Sequence, residues 1–320
     1  MAFEKRRELL FVYSVKDANP NGDPLNNNAP RKDEETGQIL VSDVRIKRTV
    51  RDQWIREGKD VFVDGEAQTL KERVDALKKK HKVSSAADAL KKCIDARLFG
   101  VTCAIKKEED SSEEKSSKGK GKSSKESFSW CGPLQLKWAR SLHKVREQFV
   151  QGTAAFARKE ESEQRSFRNE YIVPFCMLAC YGIANQHAST RTEATDDDLD
   201  DLFKTVWNGT ANLISRSKVG HVPLLLLEIT YKKDFDGCIG ALDERVRLTD
   251  ANGNPFDEDA QYALRSATTV QLDITALAQA LETKKNEIER LRLVYDQRLV
   301  IKGKEELAPI LGGKISEEAR

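Results

Sequence analysis

The stretch VPLLLLEITY at residues 222–231 is apolar at consecutive positions, where a strand with one wet face would alternate. Such a run reads as a strand buried on both faces, so the sheet that holds it must be covered on both sides. A second strand of this kind is ELLFVYSV at residues 8–15. It places Leu9, Phe11, Tyr13 and Val15 on one face and Leu10 and Val12 on the other. EYIVPFCMLACYGIA is a further apolar strand, and ARLFGVTCAI reads as one too. GPLQLKWARSLHKV alternates, with Leu134, Leu136 and Trp138 on one face and Gln135 and Lys137 on the other.

Between these strands lie helices with start and stop signals. In SDVRIKRTVRDQWIREG, Ser42 caps the N-terminus, Asp43 complements the helix dipole and Gly58 ends the helix. Ile46, Val50 and Trp54 form its buried stripe, while Lys47, Arg48 and Arg51 project from another side. TDDDLDDLFKTVWNG is capped by Thr195 and turns Leu199, Leu202, Phe203 and Val206 inward. Its Asp196, Asp197 and Asp198 are better read as dipole partners than as metal ligands. Residues 60–95 are further helical material with a lysine-rich surface. The strong elements therefore run strand, helix, strand, strand, helix, strand. This is the split βαβ or ferredoxin-like order, shared with RNA-recognition modules, and the fold class is α+β.

Composition removes several function classes. At 320 residues, 39% hydrophobic and 33% charged, the chain can bury a sizeable core. No apolar stretch approaches the roughly 18 residues that span a bilayer, and residues 1–17 do not read as a signal peptide, so no membrane partner and a cytoplasmic location are expected. The six cysteines include no CxxC pair and read as reduced and mostly buried, and the four histidines show neither HxxxH nor HExxH spacing. No metal site, cofactor or catalytic residue is expected. The net charge of +2 is weak support for nucleic-acid binding, so a local patch would have to carry it.

The loop KDANPNGDP, residues 16–24, has Asp17, Asn19, Asn21 and Gly22 at calcium-loop spacing. The closing position that should hold a bidentate Glu is Asn28, Pro20 and Pro24 interrupt the loop, and a strand precedes it where the motif needs a helix. Read alone, it is a turn built from turn formers. A hairpin turned at Thr36-Gly37 follows. Residues 106–127 contain KKEEDSSEEKSSKGKGKSSKES, without an apolar residue, and read as a disordered surface loop.

The loop and the helix behind it, LFVYSVKDANPNGDPLNNNAPRKDEETGQILVSDVRIKRTVRD, closely resemble the N-terminus of the backbone subunit of the CRISPR Cascade surveillance complex. This is the Cas-seven family of RAMP proteins, and the nearest resemblance is to its type I-B branch. ARLFG, GPLQLKWARSLHKV and SRSKVGHVPLLLLEITY follow in family order, so the resemblance covers about residues 5–232. It implies a modified RRM-like fold with a palm sheet, helical fingers and a hairpin thumb. The first part of the palm would be residues 1–56, the fingers 57–95, further palm strands 96–144 and the thumb 145–170. The rest of the palm and C-terminal elements would be 171–300, with a tail at 301–320.

The resemblance also implies a partner, the CRISPR guide RNA (crRNA), along which copies assemble head to tail. Other Cascade subunits join them, and target DNA is met through the guide in antiviral defence. Each thumb would displace a base and leave the intervening ones free to pair. The subunit is generally not a nuclease in type I systems. Because spacers differ in sequence, the protein must hold the backbone and leave base edges free. Asn19, Asn21, Gly22 and Arg31 of the loop, Ser42 at the helix start, and Lys47, Arg48 and Arg51 behind it then form an RNA cradle, where alone the three cations would be a solvated face. Arg97 and Arg140 are weaker candidates that could instead pair with structural carboxylates. In the thumb, Phe149, Phe156 and Phe167 are available as wedges or as core anchors, and Arg158 and Arg165 as phosphate contacts. The alternative is a metal-dependent ribonuclease like the type III backbone subunits, using Asp17 or Asp23.

Overall fold

The computed structural model describes residues 1–66, 68–105, 127–153 and 167–320. Its main elements are β1 (Arg7–Ala18), β2 (Gln38–Val41), α1 (Asp43–Arg56), α2 (Leu70–His81), α3 (Ala86–Lys91), α4 (Ile94–Phe99), β3 (Gly100–Ala104) and β4 (Ser127–Cys131). There follow β5 (Leu134–Leu136), β6 (Ala139–Ser141), β7 (Gln148–Thr153), β8 (Phe167–Ala184), α5 (Gln186–Thr192), α6 (Asp196–Ala211) and β9 (His221–Tyr231). The C-terminal part adds β10 (Arg247–Thr249), β11 (Gln271–Asp273), α7 (Thr275–Lys284), β12 (Ile288–Tyr295), β13 (Val300–Lys302) and β14 (Ile315–Ala319).

β1 is central, with β8 and β9 antiparallel on either side of it. Beyond β9 lies β12 and then β14, which is parallel to β12; beyond β8 lie β6 and β2. β1 alternates as its sequence predicts. Leu9, Phe11, Tyr13 and Val15 join one cluster with Ile46, Val50 and Trp54 of α1 and Leu199, Leu202, Phe203 and Val206 of α6. Leu10 and Val12 join a second cluster with Leu225, Leu227 and Ile229 of β9 and Leu277, Ala278 and Leu281 of α7. The leucine run of β9 is buried because both faces are covered, as the consecutive apolar pattern requires. α1 and α6 are further tied by Trp54, whose indole N–H donates to Asp201 at 2.7 Å.

Several sequence expectations change. ARLFGVTCAI is half helix: α4 runs to Phe99 and the strand begins only at Gly100. Gly100 has φ +82°, and a Cβ there would lie 2.4 Å from the Gly132 amide nitrogen, so only glycine passes from helix to strand against that neighbour. β3 and β4, expected in the main sheet as part of residues 96–144, pair with each other in a separate two-stranded ribbon. They share a third cluster with α2 and α3, through Val74, Leu77, Leu90, Val101, Cys103 and Trp130. GPLQLKWARSLHKV does not hold one alternation. Leu136 pairs with Gly182 and Arg140 with Ala179, so residues 137–139 on one strand face only 180 and 181 on the other. The extra residue is a bulge that reverses the side-chain alternation and leaves Trp138 45% exposed instead of alongside Leu134.

β7 and β8 form a hairpin arm, from Gln148↔Ile172 to Thr153↔Phe167, and β8 continues from it directly into the main sheet. The β1–β8 ladder pairs Lys16 with Phe175 and Ala18 with Val173 but skips Asp17 and Pro174, where Asp17 has φ +49°. Residues 106–126, most of the loop expected to be disordered, lie outside the described residues. Of the cysteines, Cys93, Cys103, Cys176 and Cys180 are buried, and Cys131 and Cys238 are exposed. Among the described residues no helix is long and apolar enough to cross a membrane.

Candidate nucleic-acid interface

Ser42 caps α1 as its sequence requires, its side chain accepting the Arg45 amide N–H. The three cations behind it are not free. Lys47 pairs with Asp43 at 2.9 Å, Arg48 with Asp52 at 2.6 Å and Arg51 with Asp95 at 2.7 Å. Asp95 is fully buried, and its carboxylate also accepts the Phe62 N–H at 2.6 Å and the Val63 N–H at 3.2 Å. Arg51, 12% exposed, is therefore a clamp between α1, α4 and residues 61–63, with the Phe99 ring 5.1 Å below its guanidinium. Lys47 is as withdrawn as Arg51 and Arg48 sits nearer the surface, each held by an i,i+4 aspartate.

The opening loop is built around its asparagines. Asn19 and Asn21 are 2% and 7% exposed, and Asn19 Nδ2 donates to the Asn28 carbonyl at 2.7 Å. Gly22 leaves room for the Asn28 side chain, whose Oδ1 would lie 2.0 Å from a Cβ at that position. Arg31 donates its N–H to the Asn21 carbonyl and faces Asp23 at 3.3 Å. The Asn19 Oδ1 and Asn21 Nδ2 atoms have no hydrogen-bond partner among the described residues.

Arg97 makes two bonds to Asp198, at 2.9 and 2.6 Å, and joins α4 to the first turn of α6. Asp198 is thus an ion-pair partner as well as a member of the Thr195 capping box. Arg140 pairs with Asp33 at 2.8 Å. Its neighbour Ala139 packs in the α1 cluster, so Arg140 turns to the other face, where it lines a cleft of about 480 Å³ with Lys137 and Arg247. The structure does not bring it together with Lys47 and Arg48. Phe149 is 52% exposed and rests against Tyr171, with ring centroids 5.1 Å apart, so it is not a core anchor. Phe156, Arg158 and Arg165 lie outside the described residues, and for Phe167 only the backbone is described. Among the described residues no group of three or more His, Cys, Asp or Glu side chains could hold a metal ion.

Two cations that the sequence pattern did not single out flank the loop, Arg45 across a small void from Pro20 and Lys218 on the Asn19 carbonyl. Arg45 of α1 hydrogen-bonds Thr49 at 3.1 Å, and Lys218 donates to the Asn19 carbonyl; neither has a carboxylate partner among the described residues. Burial and the Arg45 charge push the Lys218 ammonium down to about 8. Burial holds His221, whose ring nitrogen lies 2.6 Å from the Lys218 carbonyl, down at about 4. The local signal for Arg45 was incomplete: Lys47 and Arg48 each have an aspartate four residues away, whereas Arg45 has Val41 and Thr49, but Arg51 also lacks one, with Lys47 and Ile55, and finds its partner in Asp95. Lys218 carried no such signal, because α6 and the following turn bring it to the loop.

The family model described as CRISPR-associated protein Cas7 matches residues 5–275. A CRISPR-associated protein Cas7 of Haloferax volcanii is 28% identical over 309 residues, covering 92% of this chain and 88% of its own length. Among solved structures, a chain of a CRISPR RNA-guided surveillance complex described as pre-nicking is similar with a TM-score of 0.56 at 14% identity, covering 98% of this chain and 96% of that one. A chain of a second CRISPR RNA-guided surveillance complex is similar with a TM-score of 0.51 at 12% identity, covering 97% and 94%.

Proposed function

The chain belongs to the CRISPR-associated protein Cas7 family, and from that membership we propose that it is a crRNA-binding backbone subunit of a type I-B Cascade surveillance complex. Copies would assemble head to tail along the spacer of one guide and present it, with other Cascade subunits, for pairing with target DNA. The observation that carries the reading is the family match across residues 5–275. The strand order agrees with it: β9, β1, β8 and β6 lie side by side, with α1 and α6 on one face, as in the split βαβ arrangement of RRM-like folds. In this reading the main sheet is the palm, residues 57–95 with the β3–β4 ribbon are the fingers, and residues 145–170 are the thumb.

Asn19, Asn21, Gly22, Arg31, Ser42, Lys47 and Arg48 would face the RNA backbone. Arg51 and Arg97 act as positioning residues through Asp95 and Asp198. Arg140, on the opposite face, would meet a neighbouring subunit, and Phe156, Arg158 and Arg165 would belong to the thumb's contact with RNA. The role is binding rather than cleavage. Asp23 of the loop is already committed to the Leu25 amide and to Arg31.

The test is titration of the purified protein with labelled single-stranded RNAs of unrelated sequence and increasing length, with divalent metal present. Stepwise filling that depends on length and little on sequence, with the RNA left intact, is expected. Strong preference for one sequence, or cleavage of the RNA, would overturn the reading; cleavage would favour the ribonuclease alternative.

A further inference from the structure

We propose that Arg45 and Lys218 together form a seat for one backbone phosphate of single-stranded RNA, between the opening loop and the turn that precedes β9. The inference rests on the RNA-binding reading and names two cations for it that the sequence pattern did not. Its ground is a difference among neighbours. Lys47, Arg48 and Arg51 of α1 are each neutralised by an aspartate, so an arriving phosphate must compete with a carboxylate already in place. Arg45 and Lys218 have no carboxylate partner among the described residues, although both are partly withdrawn from water.

Two like charges drawn together without a counter-ion are costly in the free protein and become favourable once an anion sits between them. The groups that face them are His221, neutral and hydrogen-bonded to the Lys218 carbonyl, Tyr13 from β1, and Arg48 and Asp52 from α1. Asp52 is bound to Arg48 at 2.6 Å. The loop adds independent support. Lys218 is anchored on the Asn19 carbonyl, and the same loop holds a buried donor, Asn21 Nδ2, and a buried acceptor, Asn19 Oδ1, both without partners among the described residues. A buried polar atom left open is unusual, and a phosphodiester with its ribose hydroxyl offers both an acceptor and a donor. A void of about 20 Å³ beside Arg45, walled by Tyr13, Pro20, Thr49 and His221, has room for one water and no more, so the anion approaches from the solvent side of the two cations.

The test measures binding of oligouridylate against salt for wild type, Lys218→Met, Arg45→Met and Lys218→Arg, with Lys314→Met as a distant control. Each lost phosphate contact should lower the log–log salt slope by about 0.7. The first two variants should each show that loss, while Lys218→Arg and Lys314→Met keep the wild-type slope. Wild-type affinity should fall as pH rises through about 8, where Lys218 loses its proton, and Lys218→Arg should abolish that step. Inorganic phosphate alone should raise the melting temperature of wild type more than that of Lys218→Met. Unchanged slopes in both methionine variants, beside a steep wild type, would overturn this inference alone, and a flat wild type would overturn the RNA-binding reading beneath it. If Lys218→Met does not fold, Arg45→Met carries the same decision.

Discussion

Arg51→Ala should be among the most destabilising single changes in the N-terminal half, and its cost follows from geometry. The guanidinium Nε lies 2.7 Å from Asp95, whose side chain is wholly buried. Removing one partner of a buried pair strands the other charge and typically costs about 3–5 kcal/mol. Asp95 keeps its bonds from the Phe62 and Val63 amides, which argues for the lower end of that range. Loss of the cation–π contact with Phe99 adds about 0.5–1 kcal/mol. The expected total is about 3–4 kcal/mol, and in a chain of 320 residues a fall of about 2 °C in melting temperature per kcal/mol gives about 6–8 °C. Urea and thermal unfolding measure the global effect, and hydrogen exchange at Phe62 and Val63 measures the local one, since those two amides should lose protection first. The double variant Arg51→Met with Asp95→Asn should recover more than half of the loss, because nothing charged remains buried. A cost under about 1 kcal/mol for Arg51→Ala, or strict additivity in the double variant, would refute the clamp.

Three further outcomes are expected. His221 is held at about 4, below its ordinary 6.5, so the unfolded chain binds a proton first as pH falls. Stability should therefore decline from about pH 6.5 to 4, and His221→Gln should flatten that limb of a stability–pH curve. Lys218 has the same sign in another window: stability should rise between pH 8 and about 10.5, and the rise should be absent in Lys218→Met. Replacing residues 154–166 by a short Gly/Ser turn should leave the β1–β8 ladder and the melting temperature nearly unchanged and abolish cooperative filling of long RNA, as read by nuclease footprinting; loss of folding would assign the segment to the core instead.

Where a segment states its own period, the sequence discloses its structure. β1 alternates, α1 and α6 carry their stripes and caps, and the run in β9 announces a sheet covered twice. What covers the second face was not legible: α7 and β12 are long enough to carry a period, but a period does not say which face of which sheet an element covers, and alternation over three residues, as in Arg247–Thr249 or Gln271–Asp273, has no statistical weight. The bulge at residues 137–139 escaped notice because it is defined only by the partner strand. The site follows the same division. Ser42 and the i,i+4 pairs are local, but Arg51 meets an aspartate 44 positions away and Arg97 one 101 away, so two candidate RNA contacts proved to be engaged inside the protein. Sequence displays charge without its counter-charge: asking which cation on α1 lacks a local aspartate returns Arg45 and Arg51 alike, and only the fold, by bringing Asp95 to Arg51, separates them.

The single skipped pair between β1 and β8 has a mechanical consequence. β8 is at once a leg of the hairpin arm and the neighbour of the central strand, so the arm is a cantilever rooted in the sheet rather than a flap on a loop. Below the root, consecutive rungs resist bending; at the root, Pro174 offers no N–H and Asp17 is turned out of register, so one rung is missing. The gap is the weakest point of the ladder that joins the arm to the sheet. Bending in the plane of the sheet would stretch the rungs on either side, which leaves motion normal to the sheet as the soft direction. The arm is also held from the side by the Glu170–Arg216 ion pair at 3.5 Å, so a load at its end is shared between that surface pair and the gap in the ladder at Asp17 and Pro174.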